Sequence, residues 1–182
     1  IYIRQPQALG LGHAVLCARP VVGDEPFAVI LADDLIQAEP SALRQMVEVY
    51  EHYSSSVIAV QQIPRAETRS YGVVKGREWE KGILKVDGIV EKPAPEAAPS
   101  TLGVVGRYIL TPRIFQHLES IQAGSGGEIQ LTDGIARLLE KEQVLAYEFQ
   151  GRRFDCGSKL GYLEATVEFA LAHPELRDRF RS

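Results

Sequence analysis

Two adjacent carboxylates, Asp33 and Asp34, follow the apolar run Phe27-Ala28-Val29-Ile30-Leu31. Such a run, without alternation, is typical of a strand that is buried on both faces of a parallel sheet. In open α/β sheets ligands bind outside the carboxyl ends of the strands, and Mg2+ prefers hard oxygen ligands. The position therefore suits a carboxylate that holds Mg2+ against phosphates. The alternative is that the two residues begin a loop or cap a short helix.

A second candidate is Glu91-Lys92-Pro93, where an acid and a base end a predicted strand before a proline. Neighbours on a strand point to opposite faces, so both side chains reach one ligand only if the strand ends there. Lysine is a suitable point charge for a phosphate, and glutamate accepts hydrogen bonds from sugar hydroxyls. The alternative is a solvated pair of surface charges.

A third carboxylate, Asp155, ends another strand-like stretch in Phe154-Asp155-Cys156-Gly157. It is a candidate second metal ligand, and Gly157 allows a close approach to the backbone. The alternative is the capping region of a helix that begins near Lys159. We expect Cys156 to be a small buried residue and not a nucleophile, because the sequence suggests no histidine paired with it.

Two glycine-rich segments carry weaker signals. Gly10-Leu11-Gly12-His13 lacks the third glycine of a dinucleotide-binding fingerprint, although its glycines would let a base or a phosphate lie against the backbone. We interpret His13 as a residue of the helix start. Gly124-Ser125-Gly126-Gly127 lacks the Gly-Lys-Ser/Thr ending of a P-loop, so we interpret it as a flexible connector. The histidines and cysteines show no metal-ligand spacing, which argues against zinc.

The predicted elements that position these residues alternate between strands and helices, which argues for a parallel sheet covered by helices. Asp87-Gly88 is a hairpin signal in a more antiparallel middle segment. The predicted strands are 1–4, 27–31, 56–63, 71–75, 83–86, 89–91, 103–110 and 144–149. The predicted helices are 12–19, one capped by Ser41, 112–122, 132–142, 159–173 and a short one in 175–182.

Composition narrows the class of protein. The chain has 182 residues, 45% of them hydrophobic and 24% charged, which is ordinary for one globular domain. A net charge of -4 argues against a dedicated nucleic-acid binder, and the longest apolar run is too short to span a membrane. Two cysteines build no disulfide framework, and no signal segment opens the chain. We expect a reduced, cytoplasmic enzyme or binding protein.

The motifs occur together in a recognisable order. They are Arg4-Gln5, Gly10-Leu11-Gly12-His13-Ala14, Leu31-Ala32-Asp33-Asp34, Tyr71-Gly72-Val73-Val74, Val90-Glu91-Lys92-Pro93, Gly106-Arg107-Tyr108, Gly127-Glu128-Ile129-Gln130-Leu131-Thr132-Asp133 and Asp155-Cys156-Gly157. In this order the chain resembles the bacterial UTP–glucose-1-phosphate uridylyltransferases, within the wider sugar-1-phosphate nucleotidylyltransferase family. Each motif alone is weak, whereas eight in order along essentially the whole chain are specific.

The resemblance implies a Rossmann-like, three-layer α/β/α fold with a mixed, mostly parallel sheet. It implies UTP, glucose 1-phosphate and UDP-glucose as small-molecule partners, with Mg2+ as cofactor and no nucleic acid or membrane partner. The sugar-phosphate oxygen attacks the α-phosphorus and pyrophosphate leaves. Relatives in this family are commonly oligomeric, so a homo-oligomer is also implied.

The resemblance also implies roles for individual residues. Gln5 and Gly10 match the uracil contacts, Gly72 and Glu91 match glucose contacts, and Lys92 matches the ligand of the sugar phosphate. Asp33 matches the Mg2+ ligand, so Lys92 and Asp33 are the catalytic candidates. Asp155 matches a second metal carboxylate of related thymidylyltransferases.

One departure from the family is large. The glycine-rich loop with a Gly-Thr-Arg signature, which binds the nucleotide triphosphate, has no counterpart in these 182 residues, and the chain begins at Ile1. We therefore expect residues 1–182 to be the C-terminal portion of a single nucleotidyltransferase domain, truncated at its N-terminus and inactive alone. The alternatives are a nucleotidylyltransferase for another sugar or nucleotide, and a non-catalytic module that binds UDP-sugars.

Overall fold

The structure is a computed structural model that describes residues 1–122 and 127–181. Its strands are β1 (Phe27–Ile30), β2 (Asp34–Gln37), β3 (Ser56–Gln62), β4 (Gly72–Glu80), β5 (Ile83–Glu91), β6 (Leu102–Leu110), β7 (Val144–Glu148) and β8 (Arg152–Asp155). Its helices are α1 (Leu11–Cys17), α2 (Arg19–Val22), α3 (Ala42–Tyr53), α4 (Ile114–Ser120), α5 (Leu131–Leu138), α6 (Lys159–Ala172) and α7 (Arg177–Arg181), with a 3-10 helix at Arg65–Ser70.

Six strands form the central sheet in the order β1-β6-β3-β7-β5-β4, and β2 pairs with β8 in a separate two-stranded sheet. The mixed sheet predicted from the sequence is confirmed, but its mostly parallel character is wrong. Within the described residues β3 and β7 form the one parallel pair. The physical reason is the placement of β6, which runs antiparallel between β1 and β3 and separates two strands that point the same way.

Helices cover both faces of this sheet, which confirms the three-layer arrangement. Successive residues of β3 supply the two faces, as a period of two requires. Val57 and Ala59 pack toward Met46 of α3, whereas Ile58 and Val60 pack toward α1, α4 and α5. Ser41 caps α3 as predicted, since its hydroxyl accepts a hydrogen bond from the Arg44 backbone at 3.3 Å.

Three local predictions are wrong. Strand β1 is not buried on both faces, because it lies at the sheet edge with β6 as its neighbour, and Ile30 is 53% exposed. Residues 1–5 form no strand. The hairpin between β4 and β5 turns at Lys81-Gly82, where Gly82 has a φ of +78°, while Asp87-Gly88 lies inside β5 opposite a register shift.

The helices of the described part of the chain are each too short or too polar to cross a membrane.

Candidate active site

A cleft of about 460 Å³ opens where the small sheet, the hairpin strands and the first turns of α1 and α5 meet. The described residues that line it include six of the seven residues singled out from the sequence. These are Gly10, Asp33, Gly72, Glu91, Lys92 and Asp155. They come from segments up to 145 positions apart in the numbering, so the fold has gathered the sequence motifs at one place.

The carboxylates of Asp33 and Asp155 face a common point. Strands β2 and β8 pair antiparallel with Asp34 opposite Asp155, and the Cys156 backbone donates to the Asp33 carbonyl at 2.7 Å. A methyl group built on Gly157 would stand 3.1 Å from Asp155 Oδ1 and 3.2 Å from Asp33 Oδ2. Each carboxylate therefore places one oxygen beside Gly157, whose backbone also donates to Asp155 Oδ1 at 3.0 Å.

Asp34 is buried, unlike its neighbour Asp33, although the sequence pattern does not distinguish the two aspartates. It is 5% exposed, and its carboxylate accepts hydrogen bonds from the Gly106 backbone and from Arg153. The Arg107 guanidinium donates to the backbone carbonyls of Leu31 and Asp34. Asp34 therefore anchors the turn that presents Asp33.

The pKa values of the two arginines beside Asp34, Arg107 and Arg153, shift in opposite directions. Burial lowers the pKa of the Arg107 guanidinium, although Asp34 and Asp33 oppose the shift. Burial would also lower the pKa of Arg153, but the hydrogen bond with Tyr71 and the charge of Asp34 outweigh it and raise that pKa. Arg153 thus stays charged within the wall of the cleft.

The opposite wall is built from β4, β5 and α5. Gly72 pairs with Glu91 across the hairpin, and the Thr132 hydroxyl donates to Glu91 Oε2 at 2.9 Å. A methyl group at Gly72 would lie 2.8 Å from Thr132 Cγ2 and 3.3 Å from Glu91 Oε2. Glycine at position 72 therefore allows close packing of this wall. The second carboxylate oxygen of Glu91, Oε1, lies on the side of Lys92.

Strand β5 ends at Glu91. This is the condition under which the adjacent side chains of Glu91 and Lys92 can reach the same ligand. Lys92 has a φ of +46°, and its backbone donates to the Tyr71 carbonyl at 2.9 Å. Its ammonium lies 3.6 Å from Glu91 Oε1, with 56% of the side chain exposed. The acid and the base, adjacent in sequence, thus both line the cleft.

Gln5 is the predicted site residue that does not line the cleft. Its amide donates to the Gly10 carbonyl at 3.0 Å and lies 2.9 Å from His13 Nδ1. Gly10 has a φ of +89°, and a methyl group there would lie 2.9 Å from Glu128 Cβ. Gln5 therefore supports the glycine turn before α1, and His13 lies at the start of that helix as interpreted from the sequence.

The structure adds three polar residues that sequence reasoning did not single out. They are Tyr71, Thr132 and Arg153, and they contact Lys92, Glu91 and Asp34 respectively. Tyr71 and Thr132 occur within the quoted motifs, where no role was assigned to them. Arg153 pairs with a residue 119 positions away, so no local pattern could have signalled it.

The described residues contain no large cluster of metal-binding side chains. Among residues 1–122 and 127–181 no group of three or more His, Cys, Asp or Glu side chains could hold a metal ion. The pair Asp33 and Asp155 still suits Mg2+, which is commonly bound through one or two carboxylates together with water and substrate phosphates. The predicted connector Gly124-Ser125-Gly126-Gly127 lies, apart from Gly127, outside the described residues.

Comparison with known proteins gives consistent findings. A family model described as nucleotidyl transferase matches residues 1–170. A UTP–glucose-1-phosphate uridylyltransferase of Bacillus subtilis is 52% identical over 178 residues, which are 98% of this chain and 61% of the relative. The chain therefore spans about 61% of the length of that curated relative.

Solved structures agree in fold over nearly the whole chain. A UDP-glucose pyrophosphorylase complexed with UDP-glucose is 44% identical with a TM-score of 0.92, covering 95% of this chain and 66% of that chain. A UTP-bound enzyme of the same type from Acinetobacter baumannii is 45% identical with a TM-score of 0.88, covering 100% and 63%.

Proposed function

The chain belongs to the nucleotidyl transferase family, and from this premise we propose that it carries the sugar-phosphate-binding part of a UTP–glucose-1-phosphate uridylyltransferase. The reaction joins UTP and glucose 1-phosphate into UDP-glucose and releases pyrophosphate. One observation carries the proposal: the cleft brings Glu91 and Lys92 to one side and Asp33 and Asp155 to the other. A sugar phosphate needs both a hydroxyl acceptor and a cation, and phosphoryl transfer needs its charge neutralised.

In this proposal the cleft residues position the substrates and balance their charge. Glu91, oriented by Thr132, accepts hydrogen bonds from glucose hydroxyls, and Gly72 lets the sugar approach the backbone. The ammonium of Lys92 attracts the phosphate of glucose 1-phosphate. An oxygen of that phosphate attacks the α-phosphorus of UTP, and the bond from this phosphorus to the bridging oxygen of pyrophosphate breaks. Orientation supplies much of the acceleration in such a step.

Nucleotidyl transferases of this family generally use a divalent metal, and we propose Mg2+ held by Asp33 and Asp155. When bound, it neutralises phosphate charge and draws electron density from the α-phosphorus. The convergence of two carboxylate oxygens beside Gly157 supports this choice. The uracil is proposed to lie against Gly10, in the turn that Gln5 supports.

The proposal also includes the cellular location, domain organisation and oligomeric state of the protein. Two free cysteines, Cys17 and Cys156, are compatible with a reducing cytoplasm. The match of the family model to residues 1–170 supports residues 1–182 as one portion of a single nucleotidyltransferase domain. The homo-oligomer implied by the resemblance stays a prediction, which sedimentation of the purified chain tests.

Calorimetry with UDP-glucose and the purified chain tests the proposed function. We expect Lys92→Ala to weaken UDP-glucose binding about tenfold or more, since a charge-assisted hydrogen bond contributes roughly 1.5–3 kcal/mol. Lys85→Ala is the matched control, because Lys85 lies over the Trp79 ring and does not line the cleft. Equal binding by wild type and Lys92→Ala would refute the role of Lys92.

A panel of ligands separates the proposal from its alternatives. We expect UDP-glucose to bind more tightly than dTDP-glucose or UDP-N-acetylglucosamine. Tighter binding of one of these would indicate another sugar or nucleotide. Absence of binding to all three would refute the proposed function.

A further inference from the structure

We propose that Arg153 is a positioning residue that sets the relative placement of the two candidate metal carboxylates, Asp33 and Asp155. This inference rests on the proposed function in one respect, namely that these carboxylates hold a divalent metal. It adds a residue whose part in the site neither the motifs nor the cleft-facing carboxylates reveal.

Each nitrogen of the Arg153 guanidinium has its own partner. Nε pairs with Asp34 Oδ1, Nη1 donates to the Tyr71 hydroxyl at 3.0 Å, and Nη2 lies 3.6 Å from Asp155 Oδ2. The Tyr71 ring also packs against the guanidinium, with 5.2 Å from Cζ to the ring centroid. Only 9% of the side chain is exposed. Because the guanidinium is planar and rigid, it constrains the relative orientation of its three partners in addition to supplying a positive charge.

The contact with Asp34 carries this constraint to Asp33. Asp34 Oδ1 pairs with Arg153 and Oδ2 accepts from the Gly106 backbone, so both oxygens of the carboxylate have a buried partner. Asp33 precedes it directly and is tied to the other strand through its carbonyl and the Cys156 backbone. Arg153 therefore contacts Asp155 itself and the residue adjacent to Asp33.

The electrostatic effect of Arg153 opposes its geometric effect, which makes the inference testable. A fixed cation beside a divalent metal repels it, so a residue acting through charge alone would weaken metal binding, and its removal would tighten it. A residue that orients the ligands would have the opposite signature. Groups that orient metal ligands typically change metal affinity or activity by about 10- to 100-fold when they are mutated.

The experiment measures Mn2+ binding to the purified chain with saturating UDP-glucose, from the electron paramagnetic resonance of free Mn2+. Arg153→Lys keeps the charge but has one nitrogen in place of three, and Arg153→Met removes the charge as well. We expect both variants to bind Mn2+ about 10- to 100-fold more weakly. We expect Tyr71→Phe, which removes one partner of Arg153, to weaken Mn2+ binding less.

Arg152→Lys is the matched control. Arg152 neighbours Arg153 on β8, but it pairs with Glu168 of α6 at 2.7 Å and its side chain is 55% exposed. We expect wild-type Mn2+ affinity for this variant. Urea unfolding of every variant identifies those that are folded at the assay temperature, and if Arg153→Met does not fold, Arg153→Lys decides.

The outcomes separate this inference from the proposed function. If the wild type binds Mn2+ and folded Arg153→Lys binds it equally or more tightly, the positioning role is overturned while the metal site stands. If the wild type binds UDP-glucose but no Mn2+, the metal assignment and this inference both fail. Weaker Mn2+ binding by Arg153→Lys with an unchanged Arg152→Lys supports the inference, because a loss of stability alone would not change the affinity of folded protein.

Discussion

Asp33 and Asp34 are adjacent and chemically identical, but they differ in burial and therefore in role. Asp34 is held in a buried ion pair with Arg153, whereas Asp33 directs an oxygen toward the open space beside Gly157. Removing one member of a buried ion pair leaves the other charge uncompensated. The residue that binds a ligand and the residue that holds the turn can therefore be told apart by mutation.

We expect Asp33→Asn to reduce the Mg2+ dependence of UDP-glucose binding while the chain stays folded. Asp34→Asn should instead lower the free energy of unfolding, on the order of 3 kcal/mol, because Arg153 loses its charged partner. Mg2+ titrations by calorimetry and urea unfolding measure the two effects. The exposed Asp24 provides the control Asp24→Asn, which should change neither quantity. An unaltered Mg2+ titration for Asp33→Asn would contradict the metal role.

Gly72 gives a second prediction for a single residue. We expect Gly72→Ala to weaken UDP-glucose binding and to lower the free energy of unfolding by about 1–3 kcal/mol, since its methyl group would meet Thr132 Cγ2 at 2.8 Å. Gly88→Ala is the control in the paired strand, because nothing lies within 4 Å of its added methyl group. Similar unfolding and binding curves for the two variants would show that the Gly72 contact is unimportant.

At the scale of elements, local sequence predicts the bounds of most helices and of β3, β6 and β7, but not how the strands pair. Helix α3 begins where Ser41 predicts and buries Met46 and Val49 on one face. Such signals lie within a few residues of one another. The position of β6 between β1 and β3 depends on residues about 80 positions away, and no local pattern encodes it. The alternation of strands and helices thus predicted the layers correctly and the pairing wrongly.

The cap of α3 gives a prediction at this scale. We expect Ser41→Ala to lower the free energy of unfolding by about 1 kcal/mol, because the Arg44 backbone loses its acceptor. Ser41→Asp restores an acceptor and should restore most of that stability. Since α3 contributes no residue to the cleft wall among those described, UDP-glucose binding should be unchanged in both variants. Urea unfolding and calorimetry measure the two quantities, and equal losses in Ala and Asp variants would argue against a capping role.

At the scale of the whole molecule, the sequence indicated the candidate site better than it indicated the sheet. The sequence indicated Asp33, Glu91 and Lys92 because they follow or end predicted strands, and Asp155 because it ends a strand-like stretch. All four line the cleft. Arg153 was not indicated, since its importance depends on burial against Asp34 in a separate sheet. Sequence motifs indicate where strands end and turns begin, but not which charged side chains become buried.

The charge of the cleft leads to a prediction about turnover. Five carboxylates and two cations, Lys92 and Arg153, line it within the described residues, and both cations lie near carboxylates. The loop with a Gly-Thr-Arg signature, which the resemblance makes the binder of the triphosphate, has no counterpart in these 182 residues to add further neutralisation. We therefore expect the purified 182-residue chain to bind UDP-glucose but not to form it from UTP and glucose 1-phosphate. A coupled pyrophosphate assay measures formation, and sustained turnover would contradict the prediction.

The backbone of Lys92 has a consequence for how this position evolves. Its φ of +46° is a conformation that costs a residue with a side chain about 1–2 kcal/mol and costs glycine almost nothing. Selection for thermal stability of the backbone alone would thus favour glycine there, whereas selection for ligand binding would retain the lysine. In gene copies released from selection for ligand binding, position 92 should be among the first places in the cleft to drift.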